Sequence, residues 1–202
     1  MHMGISLRSG GGSYAREARE NDLLDAIGEE MLRLTRLISE LLNFSRYQSG
    51  LQKLELAPCA VDELLERAQA RFAEQAGQKD IELVLALEPP LPRIQADLAQ
   101  LDRVLDNLLH NAIRHTPQGG RIRLHARRHA ERVIVSVEDN GEGIAYGQQG
   151  RIFEPFVQVG RKKGGAGLGL ALCKEIVQLH GGRMGVYSRP GQGTQFYKAL
   201  PL

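Results

Sequence analysis

The sequence predicts an α+β fold: an antiparallel or mixed sheet with helices packed on one face, led by one long helix. Three observations carry this expectation. From Leu54 onward, strand-like and helix-like stretches alternate in short elements. The segments "RIRLHARR" and "RVIVSVED" show the apolar–polar alternation of half-buried antiparallel strands. Ahead of them, Leu24, Ile27, Met31, Leu34, Ile38 and Leu41 recur at spacings of three and four, which is a heptad seam.

Taken in order, residues 1–20 contain a Gly-Gly-Gly-Ser run that reads as a flexible linker, and His2 and Met3 resemble an expression remnant. Residues 21–50 carry the heptad helix, with Leu23, Leu37, Leu42 and Phe44 as a second stripe and Gly50 as the stop. So wide an apolar face needs a bundle, supplied by another helix or a second copy. Residues 54–202 form the alternating part. "LEL" is a brief strand, and the helix after Pro58 has Asp62 in its first turn. "IELVLAL" is a strand closed by prolines, and "RIQAD" is short and extended. Asp97 caps the next helix. After the two alternating strands comes a Gly-rich region from Asn140 to Gly169, with a short helix around Gln149 to Phe153. "LGLALCKEIVQLHGG" is a helix ended by Gly181, and the last stretch is a hairpin.

The formal charge of +2 is near balance. The basic runs "GRKKGG" and "HARRH" lack aromatic interleaving, which argues against a nucleic-acid surface. No run has the length of a membrane span, and the two cysteines lack metal spacing, as in a reduced intracellular protein. His125 and His129 have ligand-like spacing but read as solvated.

Chemistry concentrates in three places. "DNLLHNAIRHTP" puts Asn107 and Asn111 four apart, on one helical face that runs on to Arg114 and His115. Asparagine is a poor helix former, so this face is either a solvated surface or a polar site. An Asn side-chain oxygen can ligate a hard cation, and Mg²⁺ takes few protein ligands when phosphates and water supply the rest. Asn111 is then the metal ligand, Asn107 a partner for phosphate or metal-bound water, and Arg114 a phosphate partner. His115 can hydrogen-bond or stack nearby, or simply favour a helix C-terminus. "EDNGEGI" leaves Asp139 at the end of a strand, where a carboxylate can accept from an exocyclic amine such as that of adenine. Gly141 and Gly143 allow a sharp turn and close approach; the bland alternative is a plain turn. In "GRKKGGAGLGLAL", Gly165, Gly167 and Gly169 precede a helix whose free N–H groups can receive phosphate. It lacks the Gly-Lys-Ser/Thr ending of a P-loop, and Leu170 stands where a dinucleotide fingerprint needs its third glycine.

The order of these stretches, with "IFEPF" between the two glycine motifs and "GQGTQF" near the end, resembles the N, first G, F and second G boxes of sensor histidine kinases. The resemblance implies a two-layer α/β sandwich of the Bergerat type, shared with gyrase, a heat-shock chaperone and MutL proteins. It implies ATP and Mg²⁺ as cofactors, with Asp139 on adenine and Asn111 on Mg²⁺. Asn107, Arg114, His115, Gly141, Gly143, Ile144, Gly165, Gly167, Leu168, Gly169, Leu170 and Thr194 would line or shape the site. Phe153 and Phe156 would anchor its lid, and Lys162 and Lys163, with Arg161, would offer lid charges.

The hydrolysing members of that superfamily place a Glu base four residues before the metal-binding Asn. Here that position is Asn107, which cannot take a proton, so phosphotransfer fits better than hydrolysis. The heptad helix resembles the second helix of a kinase dimerisation bundle. The first helix should carry the acceptor histidine, and nothing in residues 1–20 matches it; "MHMGISL" is at most its stump. The expectation is therefore a cytoplasmic ATP-binding domain unable to phosphorylate itself. Its partners would be a response regulator and, through residues 21–50, a second copy, with membrane attachment only through N-terminal parts of a parent protein. The alternatives are an ATPase of the gyrase or MutL kind, or a non-catalytic nucleotide-binding or dimerisation module.

Overall fold

A computed structural model describes residues 11–50, 52–159 and 167–202. The chain divides after Leu41 into two compact units.

The first unit is the body of helix α1, Gly11–Gln48. The helix starts within the stretch expected to be linker, not near Asn21 as the seam suggests. Ala15, Arg16, Glu17, Ala18, Arg19 and Glu20 are mostly good helix formers, and extending an existing helix avoids a new nucleus. Residues 1–10, where the helix stump and the rest of the linker were expected, lie outside the described residues. The seam residues Leu24, Ile27, Met31, Leu34, Ile38 and Leu41 are exposed.

The second unit begins with the last turns of α1. It contains β1 (Ala57–Ala60), α2 (Val61–Gly77), β2 (Glu82–Glu88), β3 (Arg93–Ala96), α3 (Leu98–His115), β4 (Arg121–His129) and β5 (Arg132–Asp139). It continues with α4 (Tyr146–Gln149), α5 (Gly169–Leu179), β6 (Arg183–Arg189) and β7 (Gly193–Pro201). Five strands form one sheet in the order β2-β4-β5-β7-β6, while β1 and β3 pair separately and antiparallel. Every pair in the large sheet is antiparallel except β2 with β4, so the sheet is mixed.

Alternation along the strands selects the buried face. Ile122, Leu124 and Ala126 of β4 and Val133, Val135 and Val137 of β5 are buried, whereas Arg121, Arg123 and Arg127 are exposed. The inner residues share one core with Leu64, Leu65, Ala68 and Phe72 of α2, with Leu101, Leu105, Leu108 and Leu109 of α3, and with Leu172, Ile176 and Val177 of α5. Each such buried Leu, Ile, Val or Phe side chain stabilises the fold by about 1.5–3 kcal/mol. This is the two-layer α/β sandwich of the sequence expectation.

Two local expectations are corrected. "LEL" is not a strand; pairing begins at Ala57, where β1 finds β3. The short helix lies at Tyr146–Gln149, ahead of Gln149 to Phe153, because Gln149 Nε2 bonds back to the carbonyls of Ile144 and Ser188, at 2.8 and 2.9 Å. The stops stand where their glycines are: Gly50 and Gly181 both have positive φ.

Candidate functional site

Helix α3 delivers the Asn face. Asp97 caps it, accepting from Gln100 N–H, and also accepts from the Glu55 N–H at 3.1 Å. The far end closes where Thr116 Oγ1 and its N–H both donate to the Ala112 carbonyl, just before Pro117. Along the last turns Asn107, Asn111 and His115 are half-buried and Arg114 is exposed. The Asn107 amide also reaches the buried Cys173 thiol of α5.

Asp139 ends β5, opposite Thr194 of β7. Its side chain is buried, and Oδ1 accepts from the Gly141 N–H at 2.9 Å. Burial pushes its carboxyl up to about 6, opposed by the hydrogen bond from Gly141 and the nearby His115. Above that pH the site holds a buried anion that the Gly141 and Thr194 backbone N–H groups and His115 offset only in part, which suits a further donor on a ligand. Asn140 closes the strand pair, its Oδ1 accepting from the Arg121 N–H at 2.8 Å.

The turn after β5 is pressed against its surroundings. A Cβ on Gly141 would strike the His115 carbonyl oxygen, and one on Gly143, at φ +69°, the Arg189 carbonyl oxygen. Gly193 has φ +94°, and a Cβ there would strike the Asp139 carbonyl oxygen. The Ile144 N–H donates to Ser188 Oγ at 2.8 Å, and Ser188 Oγ and Thr194 Oγ1 lie 3.0 Å apart. Asp139, Ile144, Ser188 and Thr194 therefore sit together at one end of the sheet.

At the other side stands the start of α5. Its N-cap, Leu168, makes no side-chain cap, which leaves the first-turn N–H groups without the N-cap acceptor that would compete with phosphate. A Cβ on Gly169 would lie 3.3 Å from Asn107 Oδ1, so the α5 N-terminus faces the Asn row. Leu168 is buried with Phe44 and Ala171, and Leu170 packs against the main core. Gly167, at φ +70°, accepts from the Phe156 N–H at 2.9 Å. Phe153 meets Phe196 edge-on, centroids 6.2 Å apart, but the Phe156 ring is 63% exposed. Arg161, Lys162, Lys163 and Gly165 lie outside the described residues.

Three participants were not singled out from the sequence. Glu142 Oε1 lies 2.8 Å from His115 Nδ1, Ser188 receives Ile144, and Gly193 backs Asp139. Only the glycine left a signal, in "GQGTQF". Among the described residues no cluster of three or more His, Cys, Asp or Glu gathers as for a metal, and His125 Nε2 pairs with Glu88 at 2.7 Å. Half-buried Asn111 of α3 carries a side-chain oxygen of the hard, neutral kind that a phosphate-bound Mg²⁺ accepts. No helix among the described residues is long and apolar enough to cross a membrane.

Comparison with known proteins gives a consistent picture. A family model described as histidine kinase-, DNA gyrase B-, and HSP90-like ATPase matches residues 96–202. The alginate biosynthesis sensor protein KinB of Pseudomonas aeruginosa is 58% identical over 202 residues, covering 100% of this chain and 34% of that protein. The sensor protein DivL of Caulobacter vibrioides is 39% identical over 176 residues, covering 87% of this chain and 23% of that one. The chain thus spans about a third or less of these relatives. Among solved structures, full-length ShkA in complex with AMPPNP superposes with a TM-score of 0.81 at 35% identity, over 91% of this chain and 39% of that one. Histidine kinase ThkA in complex with response regulator protein TrrA gives 0.67 at 25% identity, over 95% and 61%.

Proposed function

This chain belongs to the histidine kinase-, DNA gyrase B- and HSP90-like ATPase family, and on that premise we propose that it is the ATP-binding kinase domain of a two-component sensor histidine kinase, with the helix that leads into it. The observation that carries the reading is the buried Asp139 carboxylate at the end of β5, with Gly141 packed against it and Gly193 against its backbone carbonyl. An acceptor so placed selects a ligand that brings its own amine, as adenine does. The uncapped start of α5, facing Asn107, supplies the phosphate end. Asn111 would hold Mg²⁺, which when bound offsets the negative charge of the phosphates.

Position 107 separates transfer from hydrolysis. A carboxamide cannot accept a proton from attacking water, so the domain positions nucleotide without activating solvent. The kinase ThkA is solved with a response regulator, and a cognate regulator is the downstream partner proposed here. Helix α1 contains no histidine, so the phosphoryl acceptor lies elsewhere on a dimerisation bundle, whose second helix α1 would supply through its exposed seam.

The test is incubation with γ-labelled ATP and Mg²⁺ beside a separately supplied bundle carrying an intact acceptor histidine. Label on that bundle alone is the expected result. Sustained phosphate release without label on either protein would favour the hydrolase reading and overturn this one.

A further inference from the structure

Three elements meet on Glu142, in the turn after β5. Its carboxylate oxygen Oε1 lies 2.8 Å from Nδ1 of His115, at the C-terminal end of α3. Its backbone carbonyl accepts from the Gly191 N–H, at 2.8 Å, in the β6–β7 turn. The glycines on either side bring the turn down onto both neighbours, Gly141 onto the His115 carbonyl and Gly143 onto that of Arg189. The backbone around Glu142 is thus clamped, and its side chain reaches α3 from a fixed base.

The pair is half-exposed, with side chains 27% and 41% accessible for His115 and Glu142. Ion pairs this open contribute little to stability. Geometry is what the contact supplies. In the neutral ring it makes Nδ1 the donor and leaves Nε2 as an acceptor, and it fixes the plane of the imidazole. His115 stands close enough to Asp139 to act on that carboxyl electrostatically, so the oriented ring belongs to the base end of the site.

Resting on the nucleotide reading above, we infer that Glu142 is a positioning residue: it holds the His115 imidazole in the orientation that meets the base bound at Asp139, and so raises affinity for adenine nucleotides. The ring is set before the ligand arrives, and the ordering cost falls outside the binding step.

ATP dissociation constants for the full chain, read by competition with a fluorescent ATP analogue, test this. Glu142→Ala should weaken ATP by about tenfold, in line with losing one orienting hydrogen bond. Glu142→Gln keeps an oxygen that accepts from Nδ1 and should retain most of the affinity. In a His115→Ala background, Glu142→Ala should cost nothing further. Nitrogen NMR of the His115 ring should show the Nδ1-protonated tautomer in the wild type and in Glu142→Gln, and a mixture in Glu142→Ala. Unchanged ATP affinity in Glu142→Ala, or the same loss with and without His115, overturns the inference while leaving the nucleotide reading intact. A wild-type chain that binds no ATP overturns both.

Discussion

Replacing Lys198 with Met should make this protein more stable at neutral pH. Lys198 lies on the inner face of β7 and is fully buried, and among the described residues its Nζ has no hydrogen-bond partner. The nearest compensation is weak. Asp102 is already held by Arg71 at 3.0 Å and Arg67 at 3.5 Å. The neighbouring thiols stay neutral, because burial raises Cys59 and pushes Cys173 up to about 12. Burial lowers the Lys198 ammonium from 10.5 to about 8. That difference corresponds to a penalty of roughly 3–3.5 kcal/mol for carrying the charge in the folded state. The sign follows from proton binding. Between pH 8 and 10.5 the unfolded chain binds more protons than the folded one, so stability rises with pH across that window. Below pH 8 the penalty is complete. Lys198→Met removes it with a side chain of similar reach. In urea unfolding at pH 7 the midpoint should rise by roughly 1–2 M. The gap between variant and wild type should then close toward pH 10.5, which isolates Lys198 from other titrating groups. Equal midpoints at pH 7, or a gap independent of pH, would refute the argument that the ammonium is buried uncompensated.

Four further outcomes follow from the site. ATP affinity should fall as pH drops through about 6, where Asp139 takes up a proton, and Asp139→Asn should weaken ATP and flatten that profile; binding titrations from pH 5 to 8 read both. The same raised carboxyl gives stability that is complete below pH 3.8 and lost as pH rises through 6, so Asp139→Asn should stabilise the free protein at pH 7 while costing it ligand. Asn111→Ala should remove the Mg²⁺ dependence of ATP binding, and calorimetry with and without Mg²⁺ that shows unchanged affinity would sink the metal assignment. Gly193→Ala forces a Cβ onto the Asp139 carbonyl at a positive φ and should cost roughly 2–4 kcal/mol in thermal or urea unfolding.

Much of this protein is legible from local pattern. Helix α3 is written in its apolar stripe and in the Asp97 cap, β4 in its alternation and β5 more loosely so, and the stops in Gly50 and Gly181. These features act within a turn or two of chain, where periodicity and capping decide. Asn107 and Asn111 stand out because asparagine is costly within a helix, whereas Asp139 stands in an ordinary turn composition and is singled out only by the order of the motifs. Tertiary structure decided the rest. The parallel pairing of β2 with β4 depends on a crossover through β3 and α3, and β1 starts only where β3 gives it a partner. Nothing in "FYKAL" marks Lys198 as buried, since an alternating strand places it inward whatever its charge. Nothing in "DNGEGI" marks Glu142 for His115, 27 residues away. The sequence by itself determined most of the elements and the chemical groups they carry, though not where α1, β1 and α4 begin. Which groups face each other was settled by packing, because burial and pairing energies arise between segments that no local pattern connects.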